Sequence, residues 1–149
     1  RLYRYGRAVR GEKRTSVRFL SKAGRFYTVG ASGLLVNYLA SFLATALLPG
    51  IWYLHAPVAG ILFSITSNFI FNKVWTFEDR DFAPRKALTQ YGLFAGFSAL
   101  GALAQLSLVY LLVEQGTSYP VALFLAVATA SASNFLLNKK WTFKEKIWG

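Results

Sequence analysis

Ser67-Asn68-Phe69-Ile70-Phe71-Asn72-Lys73-Val74-Trp75-Thr76-Phe77 returns 66 residues later as Ser133-Asn134-Phe135-Leu136-Leu137-Asn138-Lys139-Lys140-Trp141-Thr142-Phe143, with eight of eleven positions identical. Each copy closes a long stretch almost free of charge. Residues 26–72 hold no Lys, Arg, Asp or Glu, and residues 87–138 hold one, Glu114. A bilayer core takes about 20 helical residues, so each stretch is too long for a single crossing. Both break near the middle at turn-forming residues, Pro49-Gly50 in the first and Gln115-Gly116-Thr117-Ser118 in the second. The simplest partition is four helices, at 27–48, 57–74, 91–113 and 120–138. Pro57 and Pro120 fit the first turns of the second and fourth, where a missing N–H costs nothing. Gly30 and Gly96 keep the spacing of 66. The expected fold is all-α and polytopic: four transmembrane helices in two tandem hairpins, parallel repeats related by an axis along the membrane normal.

Composition agrees. The 149 residues carry 17 Lys and Arg against 6 Asp and Glu, a net charge of +11. Yet only 15% are charged and 54% are hydrophobic, where an average soluble domain has about 25% charged. This excludes an ordinary soluble enzyme. The cations are gathered into three clusters between apolar runs, which argues against a nucleic-acid partner. With no Cys, disulfides and thiolate metal sites are excluded, and neither a catalytic centre nor a cofactor or metal is expected. Nine cations precede Phe26, four lie between the second and third helices, and four lie at or after Lys139. The two short loops on the other face have none. By the positive-inside rule this is an integral, multi-pass protein of the plasma or cell membrane with both termini cytoplasmic. The absence of any Met leads to the expectation that the chain begins inside a longer one, and residues 1–25 lack the apolar core of a signal peptide.

Residues 1–25 read as a separate basic, amphipathic interfacial segment or connector, ahead of a four-helix domain at 26–149 with repeats at 26–80 and 91–146. Arg1, Arg4, Arg7, Arg10, Lys13, Arg14, Arg18, Lys22 and Arg25 recur near helical spacing. Such a helix lies along a membrane surface with its cations toward anionic headgroups. A second reading has it also present cations, Arg25 among them, to a phosphate-bearing ligand.

The repeated motif also supports two readings. Asn68 and Asn72, like Asn134 and Asn138, are four apart and share one helix face. Amides there either hydrogen-bond between helices or meet a ligand. Trp75 and Trp141 suit an interfacial belt, and Lys73, Lys139 and Lys140 suit snorkelling anchors. Alternatively, the two Asn pairs and three Lys form a donor-rich, cationic rim for a phosphate at headgroup depth.

Two helix ends reading Asn-Phe-x-x-Asn-Lys-x-Trp-Thr-Phe in such a chain resemble the GtrA-like family, over roughly residues 25–144. A narrower likeness, from Arg18-Phe19-Leu20 to Asn37, is to the junction of fused polyprenol-phosphate mannose synthases, where a glycosyltransferase domain precedes a GtrA-like membrane domain. The resemblance implies a role in polysaccharide and glycolipid pathways. The chain would translocate polyprenyl-phosphate-linked sugars, or anchor a fused or separate glycosyltransferase and present its lipid acceptor. It also implies membrane lipids and a polyprenyl phosphate as partners. It makes Asn68, Asn72, Lys73, Trp75, Asn134, Asn138, Lys139 and Trp141 the inherited motif positions, to which Lys140 and Arg25 are added as lipid-phosphate or sugar-binding candidates.

Other polar groups carry less. Glu78-Asp79-Arg80-Asp81 is the one acidic cluster and reads as a solvated loop, and His55 as a residue of the uncharged outer face. Asn37 and Gln105 read as packing groups. The spans lack an acid, Lys or Arg, which argues against proton-coupled export. Small residues on the third and fourth helices, Gly92 and Gly96 first, suit close packing within the domain or a homo-oligomer.

Overall fold

Four α-helices form on the apolar stretches: α1 (Leu2–Leu47), α2 (His55–Phe71), α3 (Pro84–Glu114) and α4 (Tyr119–Leu137). The structure, a computed structural model, describes residues 2–48, 50 and 55–148, with side chains from Thr15 onward other than those of Ala56 and Pro57. Pro49, the loop residues 51–54 and the side chains of the first six cations, Arg1 to Arg14, therefore lie outside the described residues. Three stretches are long and apolar enough to cross a membrane, Thr15–Leu47, Pro84–Glu114 and Tyr119–Thr142. The fourth helix, α2, has 17 residues and continues into a five-residue π-helical turn, Asn72–Thr76. A matching π-helical turn, Asn138–Thr142, extends α4.

The expected helices are present with two differences. α1 runs unbroken through the boundary drawn at residue 25, because nothing in residues 2–26 breaks a helix and Arg and Lys are good helix formers. At 46 residues it is about 69 Å long, more than twice a hydrocarbon core of about 30 Å. α3 begins at Pro84, seven residues before the charge-free stretch implied. Proline occupies its first turn, and the Asp81 carboxylate accepts the Ala83 N–H at 3.0 Å just before it. Charge marks the edge of the apolar span, whereas Pro84 marks the start of the helix.

The helices fall into two units, α1 with α2 and α3 with α4. Each is an antiparallel hairpin. In the first, the Ser64 hydroxyl donates to the Gly33 carbonyl at 2.8 Å. A Cβ on Gly33 would overlap the Asn68 amide, and one on Gly60 would overlap Ser41 and come within 2.6 Å of the Asn37 carbonyl oxygen. Glycine at these two positions lets the backbones approach where polar side chains occupy the seam. The second hairpin crosses more loosely. A Cβ on Gly101 would only touch Ala130 and Asn134 at 3.9 Å, and a groove of about 190 Å³ runs beside it.

The turn from α3 to α4 is where the sequence places it. Gly116 adopts φ +88°, the Thr117 N–H reaches the Leu112 carbonyl and the Gly116 N–H reaches that of Val113, both at 2.9 Å. This is the Schellman pattern of a helix C-terminus.

The interior is unusual for so apolar a chain. Among the described residues, the largest fully buried side chains are Lys73, Lys139, Asn72, Asn138, Thr76 and Thr142. Leu, Phe and Val side chains along the helices, such as Leu35, Phe42, Leu103 and Phe124, face outward instead. Burial of polar groups is the informative exception in a folded chain. Here these polar groups share the interior with Phe26, Phe69, Phe94 and Phe135, while the surface is apolar, the arrangement that suits lipid around the helices.

Candidate functional site

Both copies of the repeated motif fold into the same object. At the end of α2 the helix widens by one residue per turn, so that the Phe77 N–H bonds the Asn72 carbonyl at 2.9 Å. At the end of α4 the Phe143 N–H bonds that of Asn138 at 3.0 Å. Isolated π-helical turns of this kind often mark functional sites. The next residue, Glu78 or Lys144, adopts a left-handed φ of 55° or 54°. The chain then curls back, and the Asp79 N–H reaches the Lys73 carbonyl at 2.8 Å as the Glu145 N–H reaches that of Lys139 at 2.9 Å. The result is a helix cap one residue wider than the Schellman pattern at Gly116.

Curling back brings a carboxylate onto the motif lysine. Lys73 Nζ lies 2.9 Å from Asp79 Oδ2, and Lys139 Nζ lies 3.2 Å from Glu145 Oε2. Both lysine side chains are 0% exposed. The snorkelling geometry expected of Lys73 and Lys139 is thus not the one they adopt, because each has an acid six residues on that the turn delivers to its ammonium. Inside the same turn the Thr76 hydroxyl donates to Asn72 Oδ1 at 2.8 Å, and the Thr142 hydroxyl to Asn138 Oδ1 at 2.8 Å. Each turn is therefore a buried knot of Asn, Lys, Thr and an acid.

The other Asn of each pair is treated differently in the two copies. Asn138 Nδ2 donates to Asn134 at both its side-chain and backbone oxygens, at 2.8 and 2.9 Å, so this pair bonds along its own helix and not between helices. Asn68 instead lies against Gly33. Among the described residues, its Oδ1 is the buried side-chain oxygen or nitrogen without a hydrogen-bond partner.

The knots leave their tryptophans on the outside, Trp75 46% and Trp141 56% exposed. Each indole has a cation over it. The Arg25 guanidinium stands 5.7 Å from the centre of the Trp75 ring, and Lys140 Nζ 5.2 Å from that of Trp141, both within cation–π range. Arg25 Nη1 also donates to the Trp75 carbonyl at 2.9 Å and to Glu78 Oε1 at 3.0 Å. In the first unit the structure thus groups Arg25, Trp75, Asn72 and Lys73, and in the second Lys139, Lys140, Trp141, Asn134 and Asn138.

Several residues escaped the sequence reading. Asp79 stood there only within a solvated cluster and Glu145 not at all, although Lys-x5-acid recurs at both sites. The three carboxylates of residues 78–81 each engage a cation, Glu78 with Arg25, Asp79 with Lys73 and Asp81 with Lys86 at 3.3 Å. Among the described residues no group of three His, Asp or Glu could hold a metal ion. His55 opens α2 and is exposed. On the second unit a cleft of about 520 Å³ lies between the start of α3 and the turn after α4, lined by Arg85, Lys86, Gln90, Trp141 and Lys144 among others. Gln90 forms its floor, 6% exposed and donating from Nε2 to the Thr142 carbonyl at 3.2 Å.

The chain is similar to the uncharacterized membrane protein YngA of Bacillus subtilis (strain 168), with 29% identity over 124 residues that cover 83% of this chain and 80% of that protein. The profile of the GtrA/DPMS transmembrane domain matches residues 25–143. That match opens on Arg25, takes in both hairpins and ends on Phe143, the last residue of the second motif copy, so the chain belongs to the GtrA/DPMS transmembrane domain family, multi-pass, typically non-catalytic membrane domains associated with handling polyprenyl-linked sugars in glycan biosynthesis.

Proposed function

We propose that this chain binds a polyprenyl-phosphate-linked sugar at its cationic face and passes the headgroup across the membrane, with both termini cytoplasmic. The observation that carries this reading is the exposed indole with a cation over its ring, held beside a buried knot in each hairpin. An indole offers a flat apolar face to a sugar ring, and a neighbouring cation offers a charge-assisted hydrogen bond to phosphate. Trp75 with Arg25 and Trp141 with Lys140 meet the headgroup. Asn68, Asn72, Lys73, Asn134, Asn138 and Lys139 build the turns that hold them. In this reading residues 1–25 are a connector to a glycosyltransferase, fused or separate, and residues 26–149 are the transmembrane domain. A homo-oligomer supplies the enclosed space that four helices lack.

Transbilayer flux of a polyprenyl-phosphate sugar in proteoliposomes tests this. Trp75→Ala with Trp141→Ala is expected to lower flux at least tenfold while insertion and helix content hold. Wild-type flux no faster than that of protein-free vesicles would reject translocation.

The alternative is a membrane anchor that orients the lipid acceptor toward a glycosyltransferase. One observation favours it: α1 is a single helix from Leu2 to Leu47, so a domain ahead of it would be joined rigidly to the span. Inserting a flexible Gly-Ser linker after Lys22 separates the two, since it uncouples a transferase from membrane acceptors under anchoring and leaves flux intact under translocation.

A further inference from the structure

The two hairpins share a turn but not a charge, and the difference locates an anion site. At the spacing of 66, Arg85 and Lys86 correspond to Phe19 and Leu20, Gln90 to Gly24, and Lys144 to Glu78. Lys144 and Glu78 hold the same left-handed backbone position, yet one presents an ammonium and the other a carboxylate. In the first hairpin that carboxylate is 3.0 Å from Arg25, which is also tied to the Trp75 carbonyl. In the second hairpin the same region is the 520 Å³ cleft walled by Arg85, Lys86, Trp141 and Lys144.

The geometry points to this cleft of the second hairpin as a binding site for a phosphate ester, with Arg85, Lys86 and Lys144 as its cations and the Trp141 indole as the wall for the group the phosphate carries. The inference rests on the proposed function and adds which hairpin holds the phosphate. Arg85 and Lys86 stand in the first turn of α3, where the helix dipole already places positive charge and a cation is disfavoured. A bound anion turns that cost into an attraction from dipole and side chains together. Lys86 is shared with Asp81 at 3.3 Å, but both side chains are 41–58% exposed, and an exposed pair of this kind is weak and exchanges readily. No carboxylate is paired with Arg85 or Lys144 among the described residues. Gln90 beneath them fixes the floor through the Thr142 carbonyl.

The test is titration calorimetry of the intact chain in phosphatidylcholine nanodiscs with farnesyl phosphate, farnesol and inorganic phosphate. Farnesyl phosphate is expected to bind at least tenfold more tightly than farnesol. Arg85→Ala/Lys86→Ala/Lys144→Ala, and Lys144→Glu alone, are expected to weaken it at least tenfold with unchanged helix content, while Lys22→Ala on the first hairpin changes it less than twofold. Inorganic phosphate binding as tightly as farnesyl phosphate, and lost in the same variants, would support the site with a soluble phosphate ester as its ligand. Affinity within twofold of wild type in both cleft variants would overturn the assignment and leave the proposed function standing. Equal affinity of the wild type for farnesyl phosphate and farnesol would overturn both.

Discussion

The first hairpin crosses tightly along a polar seam and is braced at its indole, whereas the second crosses loosely and has a cationic cleft at its indole, although both end in the same knot. In the first, Gly33 and Gly60 bring the helices into contact along a polar seam, and Arg25 ties the exposed indole to Glu78. In the second, the helices leave a groove beside Gly101, and the cations around Trp141 line a cleft. Duplication supplied one rigid turn twice; the surroundings of the two indoles then diverged, Arg25 bracing the first and cations lining a cleft at the second. The buried knot common to both is therefore best read as structure, and the different surroundings of the two indoles as specialisation.

The most damaging way to probe what is common is to empty a knot. Lys73→Ala or Lys139→Ala leaves a largely buried carboxylate without its cation and a void inside the turn, at a cost of about 3–5 kcal/mol each. Unfolding in mixed micelles should show similar losses for the two lysines. A large loss at one and none at the other would mean that the knots are not equivalent.

The helix crossings come next. Gly60→Ala drives a methyl into Asn37 and Ser41 and should cost about 1–3 kcal/mol, with Gly33→Ala in the same range through Asn68. Gly101→Ala meets only ordinary contacts and removes a helix-weakening glycine, so it should be neutral or stabilise by up to about 1 kcal/mol. Equal costs at Gly60 and Gly101 would erase the distinction between a tight and a loose hairpin.

Smaller effects sharpen the comparison at the indoles. Arg25→Ala loses a hydrogen bond to the Trp75 carbonyl and a partly exposed ion pair, and should cost about 1 kcal/mol. Lys140→Ala loses only an exposed contact over Trp141 and should stay within about 0.5 kcal/mol. Smallest of all, Lys144→Gly relieves a left-handed residue and should gain about 0.5 kcal/mol. Glu78→Gly should gain nothing, because the same relief is offset by loss of the Arg25 pair. Thermal unfolding of the four variants side by side reads these differences.

Much of this molecule is legible in its sequence. A hydrocarbon core admits only helices that satisfy their own backbone, so charge-free stretches of this length, each interrupted by turn formers, determined the four helices and their pairing as hairpins. The repeat marked both knots, since it contains their Asn, Lys and Thr. Where α1 and α3 begin was less legible, because the edge of an apolar stretch reports where lipid ends and not where a helix does.

The tertiary structure alone decided which way the motif lysines point. From the sequence, Lys73 and Lys139 at the end of an apolar helix suit a cationic rim, since nothing local shows that Asp79 and Glu145 will meet them. A widened helical turn followed by a left-handed residue brings the acids back, and a buried charge persists only with such a partner. The cleft beside Trp141 was hidden for the same reason. Arg85 and Lys144 are 59 residues apart in the chain, and only the antiparallel return of α4 along α3 sets them around one space.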